Sequence, residues 1–595
     1  MRLSRRIWES DNKRTMKRYI PVFLLLSMAA AAVVAQPYRS FSVWSGNGST
    51  DFSLVTTDSF AVVNDSGPMV IYKYTGATDS IDVATIDSIT VSVPDVVSTN
   101  KRTVTQLKAE FDTVSINKNS YKAVGNHNPL MGHKFGADPF GMVDGDRLYV
   151  YMTDDHIYKA NGQPVGDGDY SDCRNVTIIS SDDLVNWTDH GSQPVSGSSG
   201  PASWANNMWA PCAAHKTIDG KEKYFLYFAD NASGIGVLTA SHPYGPWKQP
   251  SGMNQLISHS TPNCDGKSVP WLFDPAVLVD DDGTAYLYFG GGIDGLSAAD
   301  PGSARCVQLG SDMISIVGTP QQIKPPYLFE DAGINKVGGK YLYSYCANFN
   351  AGGNGPGSGN IGYMKSDNPL GPFTYVGKCF DNPGGPSWAG GGGNNHHAIV
   401  EFKGKYYILY HNRSLKKTMR ADNKDITDGM EVRSTCINEI QVNTQNATIT
   451  PLSSTDEMQK GVTQLKNFDP YQEVPGTTMA WERGITTQYT KRATKYVCTA
   501  EAGKGSWIGL SNVDFGSGAI AFTAKVKGKG IIKVCKSKPD AKGLSNTIAY
   551  AEITNAPGYS TITVPVVNIP TKVISNLYIV FSDEASLESW SFIRK

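Results

Sequence analysis

Three acidic residues, Asp138, Asp274 and Glu330, sit in apolar or aromatic surroundings at predicted strand edges, unlike the many acids in plain surface turns. Asp138 lies in HKFGADPFGMV and Asp274 in VPWLFDPAVLVDDDG. In both, the following proline fixes an extended backbone and removes a competing donor. Glu330 lies in PPYLFEDAGINK, where Tyr327, Leu328 and Phe329 can desolvate it and raise its pKa. Taken singly, each acid serves equally well as a turn former or a strand terminator. Brought into one depression, like-charge repulsion and low dielectric would drive their pKa values apart. Acetal hydrolysis needs that inequality: one carboxylic acid protonates the departing oxygen, and one carboxylate activates water or attacks carbon.

The elements that must position these acids are legible as a repeat. DRLYVYM (146–152), EKYFLYF (222–228), GTAYLYF (283–289), GKYLYSY (339–345) and GKYYILY (404–410) are five copies of a turn followed by an aromatic-rich strand. A second signature, in SSDDLVNW (180–187), SHPYGPW (241–247) and SDNPLGPF (366–373), leads a polar turn into an aromatic and fits neighbouring outer strands. Such periodicity predicts a five-bladed β-propeller whose inner strands, read here as the repeat copies, surround a central depression. A sandwich with coincidentally similar strands is the alternative.

Composition agrees with an all-β chain acting on a neutral partner. The 595 residues call for several domains, and 60 Gly with 29 Tyr favour short strands and tight turns. Lys plus Arg (54) nearly cancels Asp plus Glu (55), and no polybasic run follows the N-terminus, which argues against nucleic acid. Residues 1–36 are read as a signal peptide with an upstream extension, since Met16 to Gln36 has a basic start, an apolar run and small residues. A membrane anchor is the alternative, but the run is short for a span. The expectation is a secreted or periplasmic protein with no span after cleavage. Residues 37–100 read as a small β module and linker, 120–455 as the propeller and 468–595 as a β-sandwich. Nine scattered cysteines without CxxC spacing support neither a zinc site nor a dense disulfide framework.

Over roughly residues 125–455 these motifs resemble glycoside hydrolase family 43. ADPFGMVDGDRLYVYMTDD is similar to the segment bearing that family's general base, NNMWAPCAAH to its Trp-Ala-Pro element, FDPAVLVDDDGTAYLYFGGG to the segment with its auxiliary Asp, and YLFEDAGINKVGGKYLYSY to that with its general acid. The resemblance implies a five-bladed propeller and an inverting mechanism, with Asp138 as base, Glu330 as acid and Asp274 as the residue that tunes and orients the acid. Inversion implies base and acid carboxyls about 6.5–9.5 Å apart. GGGNNHHAIVEF resembles the segment whose His approaches an axial metal, usually Ca²⁺ held largely through water. His396 is the candidate, with His397 as its rival and otherwise a substrate contact, and either can equally be a hydrogen-bonded core residue.

Trp209 and Phe273 are candidate sugar platforms, with core packing as the competing role for Phe273. Arg433 is a candidate for substrate hydroxyls, with a structural salt bridge as its competitor. Within the family the run most resembles arabinoxylan arabinofuranohydrolases, implying removal of α-L-arabinofuranosyl branches from plant arabinoxylan. Alternatives are a β-xylosidase, another xylan- or arabinan-directed hydrolase, or a non-catalytic glycan-binding propeller.

The C-terminal region resembles a family 6 carbohydrate-binding module through FDPYQEV, GSWIGLSNVDFGSGAIAFTAKV and SWSFIRK. It departs from that pattern at Trp481, Leu587 and Ser589, where a calcium-binding Glu, a sugar-contacting Asn and an Asp are usual. Tyr489 and Tyr559 remain as candidate stacking faces.

Overall fold

The computed structural model describes residues 96–595 except 161–162, 167–169, 293–298, 424 and 493–494, together with strand backbones between 40 and 92. The stretch read as a signal peptide lies outside the described residues. The chain divides into two compact units, Met1–Ser98 with Ile593–Lys595, and Thr99–Phe592. In the first, six short strands form two three-stranded antiparallel sheets.

Five antiparallel sheets of the second unit are the propeller blades, and their innermost strands are Ala137–Asp144, Trp209–Ile218, Ala276–Val279, Leu328–Val337 and His397–Phe402. The aromatic repeat copies fall on the second strand of each blade: Arg147–Thr153, Lys221–Ala229, Ala285–Phe289, Lys340–Ala347 and Lys405–Asn412. This corrects the reading of the repeats as inner strands. Second strands are covered on both faces by neighbouring blades, which is why they carry the most apolar sequence; Tyr151, Tyr227, Tyr288, Tyr343 and Tyr410 are all fully buried. The second signature links third to fourth strands, as between Asn175–Ser181 and Trp187–Pro194.

The fifth blade has three strands, and the segment entering the first blade runs beside its outer strand. Leu130 and Gly136 donate backbone N–H bonds to the carbonyls of Thr435 and Arg433, and the side chain of Asn128 bonds the backbone of Ile437 in both directions. The start of the propeller is thereby tied to its end.

From Val474 onward a seven-stranded sheet folds over itself around a core that includes Phe522, Trp590 and Phe592, forming the β-sandwich. Between its first strand, Val474–Pro475, and its next lies Thr478–Met479, which adds to the first blade as a fifth strand. Leu587 is in the sandwich core, and Ser589 donates to Glu473. Arg492 covers the Tyr559 ring at 3.7 Å, while Tyr489 stacks on Tyr496 at 5.0 Å. All nine cysteines are free thiols. Among the described residues no helix is long and apolar enough to cross a membrane.

Candidate active site

A repeated irregularity at the head of the inner strands builds the site. Asp138, Ala210, Asp274 and Asp331 occupy the same place in four successive blades, and each has a positive φ, between +39° and +72°. Register shifts at Ala137/Phe140, Trp209/Cys212 and Glu330/Gly333 mark bulges there. A bulge re-aims one side chain and leaves one residue out of the ladder. Pro139, Pro211 and Pro275 follow the first three, where the interrupted ladder requires no N–H.

The carboxylate of Asp138 is fully engaged. Arg433 Nη1 donates to Oδ1 at 2.7 Å and Thr153 Oγ1 to Oδ2 at 2.8 Å. His411 Nδ1 accepts the Asp138 backbone N–H at 3.0 Å, and its Nε2–H donates to the Asn394 carbonyl at 2.9 Å, which fixes the neutral tautomer. Burial holds His411 down to about 3, assisted by Arg433. Burial alone would raise the Asp138 pKa, but Arg433, His396, His411 and Thr153 outweigh it and hold the carboxyl down to about 2. Asp138 is therefore ionised across any working pH.

Glu330 lies in the opposite electrostatic state. Its Oε1 is buried and makes no hydrogen bond. Burial raises its pKa well above the ordinary value, and the charges of Asp274, Asp138 and Asp331 add to the effect. Asp274 Oδ2 accepts the Asp331 backbone N–H at 2.9 Å, which joins the heads of the third and fourth blades. Burial, reinforced by Asp138 and opposed by His396, pushes Asp274 up to about 7. The cluster thus holds one carboxylate primed to accept a proton and one carboxylic acid primed to give one.

His396 lies among the acids, its Nδ1 3.5 Å from Asp138 Oδ1 and 3.9 Å from Asp274 Oδ2, and its Nε2 3.1 Å from Asp331 Oδ1. Burial lowers its pKa, but Asp331, Asp274 and Asp138 together raise it. Among the described residues no group of three or more His, Cys, Asp or Glu converges as a metal shell. The residues present offer Ca²⁺ no direct shell, and most of its six to eight or so oxygens would have to be water.

Three expected substrate contacts are placed otherwise. Arg433 is 3% exposed. It forms a fork to Asp155 through Nε and Nη2, both at 2.8 Å, with Tyr170 stacked 4.7 Å from its guanidinium carbon. Its Nε and Nη2 donate to Asp155 and its Nη1 to Asp138, so from this buried position it fixes the base. His397 is enclosed between Asp331 and Ser344, bonded to both. Phe273 is buried edge-on against Trp271, whose ring also meets Phe329, which in turn meets the exposed Phe349. The accessible rings of this row are therefore Trp271, Phe329 and Phe349. Trp209 is half-buried, and its Nε1–H donates to the Tyr170 carbonyl at 2.9 Å.

Thr153, Asp155, His411, Asp331 and Trp271 were not singled out from the sequence. The first three had a usable signal: they end or follow a repeat strand, and hairpin pairing sets Thr153 opposite Ala137, beside the base.

The profile of glycosyl hydrolases family 43 matches residues 127–446. The arabinoxylan arabinofuranohydrolase of Paenibacillus polymyxa is 45% identical over 423 residues, 68% of this chain and 64% of that protein. The enzyme of the same name from Bacillus subtilis (strain 168) is 43% identical over 445 residues, 71% of this chain and 83% of its own. Xylosidase/arabinosidase 43A of Humicola insolens is 30% identical over 49% of this chain and 91% of its own. A crystal structure of a family 43 arabinoxylan arabinofuranohydrolase from Bacillus subtilis, in complex with cellotetraose, superposes with a TM-score of 0.72 at 39% identity, covering 80% of this chain and 99% of that one.

Proposed function

The chain belongs to glycosyl hydrolases family 43, and from that premise we propose that it is an exported, inverting hydrolase that removes α-L-arabinofuranosyl branches from arabinoxylan. The observation that carries the reading is the unequal pair: Asp138 bonded by Arg433 and Thr153, and Glu330 buried, without a hydrogen-bond partner on Oε1 and with its pKa raised by burial and neighbouring acids. Asp138 takes a proton from water as its oxygen attacks the anomeric carbon. Glu330 gives its proton to the departing glycosidic oxygen, so the bond breaks without release of an alkoxide. Asp274 acts through Glu330, raising its pKa further as pH climbs and Asp274 itself ionises. The names of the Paenibacillus and Bacillus relatives support arabinose as the sugar released, and the stretch from Met16 to Gln36 supports export.

Incubation with arabinoxylan, linear xylan and arabinan, with the released sugar identified and its first-formed anomer read by proton NMR, tests the proposal. Arabinose from arabinoxylan, released as the β anomer, is expected. Xylose alone would favour the second reading, a β-xylosidase, which the name of the Humicola relative supports. Retained configuration would overturn inversion. Asp138→Ala and Glu330→Ala should each abolish release while leaving the protein folded.

A further inference from the structure

The glycine run 390–393 leads directly into Asn394, Asn395 and His396, and one wall of a separate cavity is built from its first residues. The cavity has a volume of about 380 Å³. Its other wall is the short helix Ser414–Met419 with Arg420 and Asp428. Glycine is required at this seam: a Cβ on Gly390 would lie 2.4 Å from the Arg413 carbonyl oxygen, while Gly391, at φ +108°, meets nothing within 4 Å and leaves backbone facing open space.

Both walls continue into the active site. His411, which accepts the Asp138 N–H, is five residues before Lys416, and His396 is five residues after Gly391. Five extended residues reach about 17 Å, so the cavity lies within a few sugar units of the base.

Its chemistry is unlike that of the catalytic depression. No aromatic ring lines it, so it lacks the platform that a neutral sugar face would use. It is lined instead by Lys416, Lys417 and Arg420 against a single carboxylate, Asp428. Lys416 is buried and donates to the carbonyls of Asp428 and Met430 at 2.9 and 2.6 Å. Lys417 reaches the Ser387 carbonyl, and Arg420 pairs with the exposed Asp428. Two positive charges remain in excess in a space large enough for a sugar ring.

We propose that this cavity binds a carboxylate-bearing sugar, a uronic acid unit of the polysaccharide, and so favours acidic stretches of the chain over neutral ones. The proposal rests on the polysaccharide reading above for its ligand class, and its test is arranged to stand apart from turnover. The probes are an arabinose-free xylo-oligosaccharide carrying one uronic acid branch and the same oligosaccharide with its carboxyl reduced to the alcohol, titrated calorimetrically into the full chain. The acidic probe should bind about threefold to tenfold more tightly than its reduced form, the scale of one or two partly exposed charge pairs. Lys417→Gln with Arg420→Gln should erase that difference, and Asp428→Asn should enlarge it. Equal affinity for the two probes, or a preference that survives the double substitution, overturns the proposal. If arabinose is not released from any polysaccharide while the acidic preference stands, the function proposed above fails and the cavity's assignment does not.

Discussion

At Asp138 and Glu330 two carboxyl groups of nearly equal intrinsic acidity are driven in opposite directions, and the difference is one of partners. Both are buried, which alone raises each. Asp138 has a guanidinium, a hydroxyl and an imidazole beside it; Glu330 feels three acids, opposed only in part by Arg433, and has no donor to Oε1. The stability consequences carry opposite signs. Asp138, depressed, contributes stability that is present above its ordinary value near 3.9 and lost as pH falls through about 2. Glu330, raised, is neutral in both states at low pH. As pH rises past the ordinary value the unfolded chain loses that proton while the folded one keeps it, so stability falls. Glu330→Gln removes that penalty and keeps the shape. It is expected to abolish turnover yet melt higher than the parent at pH 7, with the gap closing by about pH 4. Thermal scans at the two pH values check this, and a lower melting temperature at pH 7 would mean that Glu330 is ionised in the fold. The same pairing predicts that kcat/KM has no acidic limb from Asp138 through mildly acidic pH and declines as pH rises and Glu330 loses its proton.

At the scale of elements, the site is made by one strand-head motif used four times. Ala-Asp138-Pro and Phe-Asp274-Pro are legible in the sequence as echoes of one another, Trp-Ala210-Pro joins them in the structure, and the three acids stand out because each sits at a strand edge in apolar or aromatic surroundings. The fourth echo, Glu-Asp331-Ala, was not legible, because proline is absent and the acid of interest stands one residue earlier. Asp331 takes the bulged position equivalent to Asp138 and Asp274. Glu330 instead aligns with Ala137, Trp209 and Phe273, which places it outside the hydrogen-bonding arrangement its neighbours enjoy. Arg433 and His397 were read as substrate contacts because residue type alone does not reveal that Asp155 and Asp331 lie close enough to occupy them. The bulge itself is testable at Ala210, whose backbone N–H donates to Thr153 Oγ1 at 2.9 Å, and Thr153 in turn donates to Asp138. A β-branched side chain is poorly tolerated at φ +39°. Ala210→Val should cost about 1–3 kcal/mol and lower kcat through displacement of Thr153, whereas Ala210→Gly should leave both close to the parent. If valine and glycine behave alike, the positive φ at this position has no part in setting the base.

Across the second compact unit, the sandwich is bound into the propeller rather than tethered beside it. The strand Thr478–Met479 completes the first blade, Asn186 and Ser511 exchange hydrogen bonds in both directions, and Thr487 donates to the buried Asp189 of that blade. Trp481 sits at the junction between the two domains. Its ring is 3% exposed in a cluster with Leu107, Phe111 and Val185, and its Nε1–H donates to the Asn126 carbonyl at 2.8 Å, on the segment that leads into the tie between first and last blades. Trp481→Ala leaves a large void and an unpaired carbonyl at that junction, and is expected to cost about 3–5 kcal/mol. The cost should appear in the propeller: guanidinium unfolding followed through arabinose-releasing activity and through tryptophan fluorescence should shift together to lower denaturant. Were the sandwich an independent module, the substitution would shift a separate fluorescence transition and leave the midpoint for loss of activity where it was. A common shift means that the C-terminal domain acts as a structural part of the catalytic one.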